Sequence, residues 1–477
     1  MERHGVYVSK NASNVSAPAV AESGIPFVIG TAPVQSAVSP ATAGMPVLCK
    51  TWDEAVQKLG YSDDWANYSL CEFMYSHFKL FGCEPVIFCN LLDPSTTKAG
   101  ISAADIPVID KKITLPITAI DDAALVIKAA GDTGEAYVKD SDYSTYYSGE
   151  NLIVEVLEDG TIYNAAGLSV KYNAVTPASV TAEAVATGLE SIEWCMTMTG
   201  TVPDLICAPK FSSDTAVAAV MATKAAAGIN GLFGAKALID ISADDDTGAT
   251  TYDAAITMKA ENSFSDENQI VCWPMIQLAG RRFHQSTQLA GLMAQVDTGN
   301  NGCPYESPSN KRYQCDSMVT ASGKEINHTF PQANMLNGSG IVTALNFMGS
   351  WTCWGNTTAC YPQSTEVKDY FIPVARMFDW VGNTLIRTFW NRLDKPMSRR
   401  LIDSVVDNCN IWLNGLVGAG YLLGGRVEFK EEENPLESLS QGIIKIHVYL
   451  APPGPAQEIE FMLEYDAESV AASLLAA

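Results

Sequence analysis

The residues in this 477-residue chain that come nearest to an active-site pattern are three Asp-Thr-Gly triplets, beginning at Asp132, Asp246 and Asp297. Aspartic proteases set two such carboxylates against each other so that the pair shares one proton. That chemistry needs each Asp at the end of an apolar strand that fixes it. Here Asp132 follows Ala-Ala-Gly, Asp246 closes an acidic run and Asp297 follows a helix-like segment. Turn chemistry, which favours Asp and Gly, is therefore the expectation for all three. The run Asp244, Asp245, Asp246 before Gly248 starts like a cation loop but lacks the later bidentate Glu, so a solvated turn is expected there.

The P-loop, zincin and nucleophile-elbow patterns do not occur. The five histidines (His4, His77, His284, His328, His447) are not at metal-ligand spacing to one another or to Cys. The 12 cysteines are scattered without a Cys-x-x-Cys pair, several inside apolar segments (Cys89, Cys207, Cys272), and are expected to be reduced core thiols. The glycines of LVGAGYLLGG (416–425) follow a helix instead of opening one, so they suit close backbone packing better than a dinucleotide loop. No catalytic residue, metal or cofactor is assigned, and a non-enzymatic protein is expected.

At this length two to four domains are expected. Acidic residues outnumber basic ones 54 to 30, a formal net charge of −24, which argues against a nucleic-acid groove as the working surface. The hydrophobic fraction of 47% and the low charged fraction of 18% suit a subunit that hides much of its surface in an assembly. No run has signal-peptide or membrane-span character, so synthesis in the cytoplasm without membrane insertion is expected.

The pattern of elements predicts a mixed α/β, multidomain fold. Residues 4–10 (HGVYVSK) alternate like a short strand that cannot bury itself. From Gly24 the pattern is globular: strand IPFVIGTA, a helix opened by the Thr51/Glu54 capping box and ending at Gly60, a helix Leu70 to Leu80, and strand PVIFCNLL. Residues 100–180 change to short β-like runs (EAYVKD, NLIVEVLEDGTIY, LSVKY), with Asp159-Gly160 as a hairpin turn. The α/β texture resumes with PDLICAP, an Ala-rich helix through Ala227, AKALIDI, NQIVCWPMIQLAG and a helix near Ser286 to Gln295. Two amphipathic helices follow, with stripes Val374, Phe378, Val381, Leu385, Phe389 and Leu401, Val405, Trp412, Leu416. The expected division is an arm over 1–20, an α/β domain over 21–95 plus 185–345, an inserted β-domain over 96–184, a C-terminal helix-plus-sheet domain over 346–450, and a second arm over 451–477.

The terminal runs GVYVS, IIKIHVYL and EIEFMLEY are strands available for pairing between subunits. Charge is segregated too. Residues 370–400 hold Arg376, Arg387, Arg392, Lys395, Arg399 and Arg400 against two acids, whereas residues 428–468 are strongly acidic. Such complementary patches favour register between copies.

In order along the chain, GVYVS, GIPFVIGTAP, GLMAQVDTGNNGCPYESPSNK, WTCWGNTT, PVARMFDW, PMSRRLID and LLGGRVEF with IEFMLEYD resemble the tail sheath family of contractile phages and related injection machines. The resemblance implies a subunit that polymerises helically around a tube and contracts. Gly5, Val6, Tyr7, Val8 and Ser9 would be a donated N-terminal strand. Glu458, Ile459, Glu460, Phe461, Met462, Leu463, Glu464 and Tyr465 would be the C-terminal one. Ile443, Ile444, Lys445, Ile446, His447 and Val448 would belong to the accepting sheet. The basic set from Arg376 to Arg400 would face the tube or a neighbour, and the inserted domain would lie outside. Implied partners are further copies of the chain, a tail tube protein, and baseplate and tail terminator proteins, within a virion tail or phage-tail-like particle assembled in the bacterial cytoplasm. Another structural polymer (tube or shell) and an aspartic-type hydrolase remain open as alternatives.

Overall fold

The computed structural model describes residues 18–475. Its largest sheet among these residues has eight strands. β1 (Pro26–Gly30), the first strand among the described residues, lies inside the sheet. The antiparallel strand β2 (Pro46–Cys49) forms one margin next to β3 (Val86–Asn90), which pairs with β1 in parallel. On the other side of β1 follow, all parallel, β4 (Leu205–Cys207), β5 (Lys236–Asp240), β6 (Gln269–Cys272) and β7 (Ile341–Phe347). An antiparallel β8 (Ser350–Trp354) closes the row. β1, β3, β4, β5 and β6 are buried along their whole length. Parallel strands covered on both faces read as unbroken apolar runs, which is why IPFVIG, VIFCN and LIC stood out in the sequence.

The first helix shows how local chemistry sets a boundary. α1 (Trp52–Leu59) begins where the Thr51 hydroxyl accepts the Glu54 N–H at 3.2 Å, and the Glu54 carboxylate in turn accepts the Lys50 N–H at 2.8 Å. It stops at Gly60, whose φ of +71° is open to glycine and where a Cβ would meet the Pro33 carbonyl oxygen at 2.3 Å. The predicted helix 70–80 is two pieces: α2 (Ser69–Met74) and a π-helical stretch, Tyr75–Phe81. The widened turn brings the consecutive residues Ser76 and His77 both into the interior. α3 (Thr215–Ala227), α4 (Tyr252–Glu261) and α5 (Gln285–Gly299) complete the layer.

Between β3 and the later strands, residues 98–175 form two small sheets around a core of their own that includes Ile113, Leu115, Leu152, Val154 and Val170. Two expectations fail here. EAYVKD is loop, and Asp159-Gly160 is not a hairpin turn: Asn151–Val156 pairs with Tyr143–Ser148 around Gly149 (φ +55°). Gly160 serves a different constraint, since a Cβ there would lie 2.7 Å from the Asp142 carbonyl oxygen.

The C-terminal region contains α6 (Ile372–Phe389), α7 (Arg399–Gly418) and an antiparallel pair, β9 (Gly424–Glu428) and β10 (His447–Ala451). Met377, Trp380, Val381, Cys409, Leu413 and Leu416 form its centre. The predicted stripes are only part of the buried faces: Val374, Val381 and Leu416 are inside, but positions beside the stripes are buried too. α6 is buried on two sides, so Arg376, Met377, Trp380 and Thr384 go inside while Phe378 is half-buried. α7 turns Ile402, Cys409 and Leu413 inward, leaving Leu401, Val405 and Trp412 half-buried. No helix among the described residues is long and apolar enough to cross a membrane.

α2 and α5 are joined by an ion pair: Glu72 accepts the His284 N–H at 2.7 Å and meets its Nδ1 at 2.8 Å. Burial pulls the His284 pKa down, but the charge and hydrogen bond of Glu72 outweigh it and carry the pKa from 6.5 to about 9. The stabilisation from this pair is therefore complete below about pH 6.5 and is lost as pH rises through about 9. Melting temperatures of the wild type and a His284→Asn variant should converge between pH 6 and about 10, by a few degrees. A gap independent of pH would show that the pair is not ionic.

Candidate functional site

Among the described residues the sheet β9/β10 has two strands, too few to be stable without help from its surroundings. Its two edges differ. The Asn410 side chain on α7 donates to the Val427 carbonyl at 3.0 Å and accepts the Val427 N–H at 2.8 Å, occupying the outer side of β9. The edge left open is that of β10, at Val448 to Leu450.

The strand expected over Ile443 to Val448 starts later than predicted. Ile443, Ile444, Lys445 and Ile446 are not in a strand, whereas His447 and Val448 begin β10. The cause is Asn434, whose side chain accepts the Lys445 N–H at 2.7 Å and donates to the Lys445 carbonyl at 2.8 Å. Those are the groups a longer strand would use for pairing.

Glu458 to Tyr465 carry no secondary structure and are exposed throughout. Ile459, Phe461, Leu463 and Tyr465 are 72%, 82%, 96% and 78% exposed. Their alternation with Glu458, Glu460, Met462 and Glu464 would give the segment, once extended in a sheet, one apolar and one largely acidic face. The segment is held at its start by Gln457, which donates to Asn356 at 2.8 Å.

Gly5 to Ser9 lie outside the described residues. The root of that arm is visible: Ala21 N–H donates to the Thr384 hydroxyl and Ala19 N–H to Thr388, both at 3.0 Å, and the Trp380 indole donates to the Ala21 carbonyl at 2.9 Å. The chain thus lies along α6, with its earlier residues nearer the C-terminal end of the helix.

The basic set divides. Arg376 is not a surface residue: it is 3% exposed, donates to Asp297 at 3.1 Å and to Asp204 at 3.0 Å, and Asp297 is itself fully buried. Asp204 also accepts the N–H groups of Gly24 and Ile25, at 3.0 and 2.7 Å. Burial works against the Arg376 charge, but the two carboxylates outweigh it and raise its pKa above the ordinary arginine value. Asp297 is correspondingly no turn residue; it sits in the last turns of α5 with its carboxylate committed to Arg376. A shared-proton dyad is not available to it. By contrast Arg387, Lys395, Arg399 and Arg400 are exposed and Arg392 partly so, around the α6–α7 junction where Trp390, Leu393 and Met397 also face water.

No family model matches the chain. The tail sheath protein of Burkholderia phage BcepMu is 25% identical over 489 aligned positions, spanning 98% of this chain and 97% of that protein. Its homologues are phage tail sheath proteins. The tail sheath protein of Escherichia phage P2 is 23% identical over 57% of this chain and 66% of its own length. The fold superposes on the contracted helical sheath of the anti-feeding prophage with a TM-score of 0.57 at 16% identity, covering 97% of this chain and 99% of that one.

Residues that shape the exposed edge, Asn410 and Asn434, were not singled out in the sequence. Mid-helix Asn410 carried one weak signal, since Asn is a poor helix former without a backbone partner. Replacing Arg376 with Met should leave Asp297 buried and unpaired, lowering unfolding free energy by about 3–5 kcal/mol. Denaturant unfolding of the monomeric variant checks this, and a loss below about 1 kcal/mol would mean the pair carries little weight.

Proposed function

We propose that the chain is the structural subunit of a contractile tail sheath, polymerising helically around a tail tube and contracting to drive that tube through a target envelope. Support comes from similarity along nearly the whole length to one protein named tail sheath, and over part of the length to others. The observation that carries the reading is that the same chain holds an open β10 edge and a fully exposed segment with the alternating pattern of a strand. Residues 458–465 of one copy add to the sheet of another, and Gly5 to Ser9 supply a further strand. Main-chain hydrogen bonds give such β-augmentation its affinity, and alternate side chains give it register.

The exposed Arg387, Lys395, Arg399 and Arg400 and the partly exposed Arg392, with Trp390 beside them, offer a contact for the acidic surface of a tube or neighbouring subunit. A baseplate and a tail terminator would bound the array at its ends, in a particle assembled in the bacterial cytoplasm. No bond chemistry is needed: the extended array is metastable, and contraction releases free energy as subunit interfaces grow. The subunit is not an enzyme under this proposal, and nucleotide hydrolysis coupled to contraction by the purified chain would contradict it.

Deleting residues 1–18, or separately 458–477, should leave a soluble monomer with wild-type circular dichroism that no longer forms tubes in negative-stain images. Normal tubes from either truncation would remove that arm from the mechanism.

A further inference from the structure

A short helix follows the segment 458–465. The Asp466 carboxylate accepts the Ser469 N–H at 3.0 Å and caps Ala467–Leu475, nine residues long. Helices shorter than about 12 residues are marginal in water unless an apolar face packs on something. Val470 and Leu474, one turn apart, form such a face. Leu474 is 79% exposed, and neither side chain belongs to a hydrophobic core of the described residues.

An aliphatic surface lies beside one end of the open β10 edge. Residues 436–446, which lead into β10, carry Leu436, Leu439, Ile443, Ile444 and Ile446. Leu436 and Ile443 are exposed and the other three half-buried. The Asn434 bonds to Lys445 keep this loop out of the ladder, so its side chains sit beyond the end of the strand instead of along it. Of its residues only Glu437 and Lys445 are charged, one of each sign. An aliphatic cluster left open in this way marks a contact surface.

The other end of β10 is different. There the acceptor's own chain runs on from Ala451 into Pro452, Pro453, Gly454 and Pro455, and Leu423 donates its N–H to the Ala451 carbonyl at 2.8 Å. A strand rises about 3.4 Å per residue, so residues 458–465 span about 27 Å, against about 17 Å for the five residues of β10. A strand added at this edge therefore overhangs β10, and the helix behind it comes to rest past one end. Antiparallel pairing carries the helix to the 436–446 loop. Parallel pairing carries it to the proline-rich exit.

We propose, on the basis of the strand exchange above, that residues 458–465 pair antiparallel to β10 of a second copy and that the helix Ala467–Leu475 docks through Val470 and Leu474 on that copy's Leu436 and Ile443. One continuous segment of the second copy then covers both the open edge and the open loop. The helix gains the packing that its length requires, and its seat fixes the direction of the strand before it.

Fluorescence anisotropy with labelled peptides and the full chain, at concentrations where the chain is monomeric, tests this. Salt of about 0.5 M keeps the acidic peptides off Arg399 and Arg400. A peptide spanning 457–466 carries the strand alone, and one spanning 457–477 adds the helix. Both should bind, the longer at least about tenfold tighter. Leu436→Ser should remove most of that gain while leaving the affinity of the shorter peptide and the melting temperature of the chain unchanged, which separates a lost seat from a damaged fold. A photo-crosslinker in place of Leu474 in the longer peptide should mark residues 436–446. Equal affinities of the two peptides, a gain untouched by Leu436→Ser, or crosslinks at Tyr421 and Leu423 would overturn the helix seat and leave strand exchange standing. If neither peptide binds below about 1 mM, strand exchange itself fails and the seat falls with it.

Discussion

The structure depends on one buried charge. Arg376 lies on α6 yet finds both its carboxylates outside the C-terminal region, Asp297 at the end of α5 and Asp204 just ahead of β4. Removing three charged groups from water is unfavourable, and their attraction offsets it only if the geometry is well satisfied. Here it is: the guanidinium spans both acids, Ser23 donates to Asp297 at 2.7 Å, and Asp204 gathers two backbone N–H groups at the root of β1. One turn further along α6, Lys236 meets Asp379 at 3.0 Å, and the Asn383 amide exchanges two hydrogen bonds with Gly234. α6 is thereby part of the α/β body, although in sequence it opens the C-terminal helix pair.

That placement orders everything beyond it. α7 and the β9/β10 pair rest on another side of α6 through Met377, Trp380 and Val381, an apolar contact with few directional demands. The N-terminal arm is clasped along the same helix by Thr384 and Thr388. α6 therefore fixes the arm root and the two-stranded sheet relative to the sheet core. Under the proposed function, a subunit built this way would rotate and translate as one body while its extended segments kept their partners.

The sequence was most legible where burial is two-sided and the chain needs no distant partner. The parallel strands announced themselves as continuous apolar runs, and α1 as a capping box with a terminal glycine. Arg376 was misread because a basic residue among Arg387, Arg392 and Arg399 resembles a solvated face; its partners are 79 and 172 residues away, invisible to local spacing. The same distance hid Asp297, whose Thr-Gly neighbours suggested a turn. Ile443 to Ile446 have strand-forming side chains, yet a single Asn434 amide takes the backbone groups of Lys445 and ends the ladder early. Propensity described those residues correctly and lost to one hydrogen-bond donor and acceptor pair.

The chain segment between β10 and the exposed strand carries the remaining logic of strand exchange. An apolar-faced strand that follows an open edge after a short spacer would ordinarily fold back as a hairpin and cap that edge itself. The spacer is Pro452, Pro453, Gly454, Pro455. Each proline fixes φ near −65° and lacks an N–H, whereas tight hairpin turns need positive φ at their central residues. The spacer then leads away from β10, and Gln457 fastens it to Asn356 beyond β8. Under the exchange proposal, these residues keep the donor strand off its own acceptor. The open edge and the exposed strand can then be satisfied together only by another copy, so the features that would make a free subunit prone to stick are the ones that confine its sticking to a defined partner.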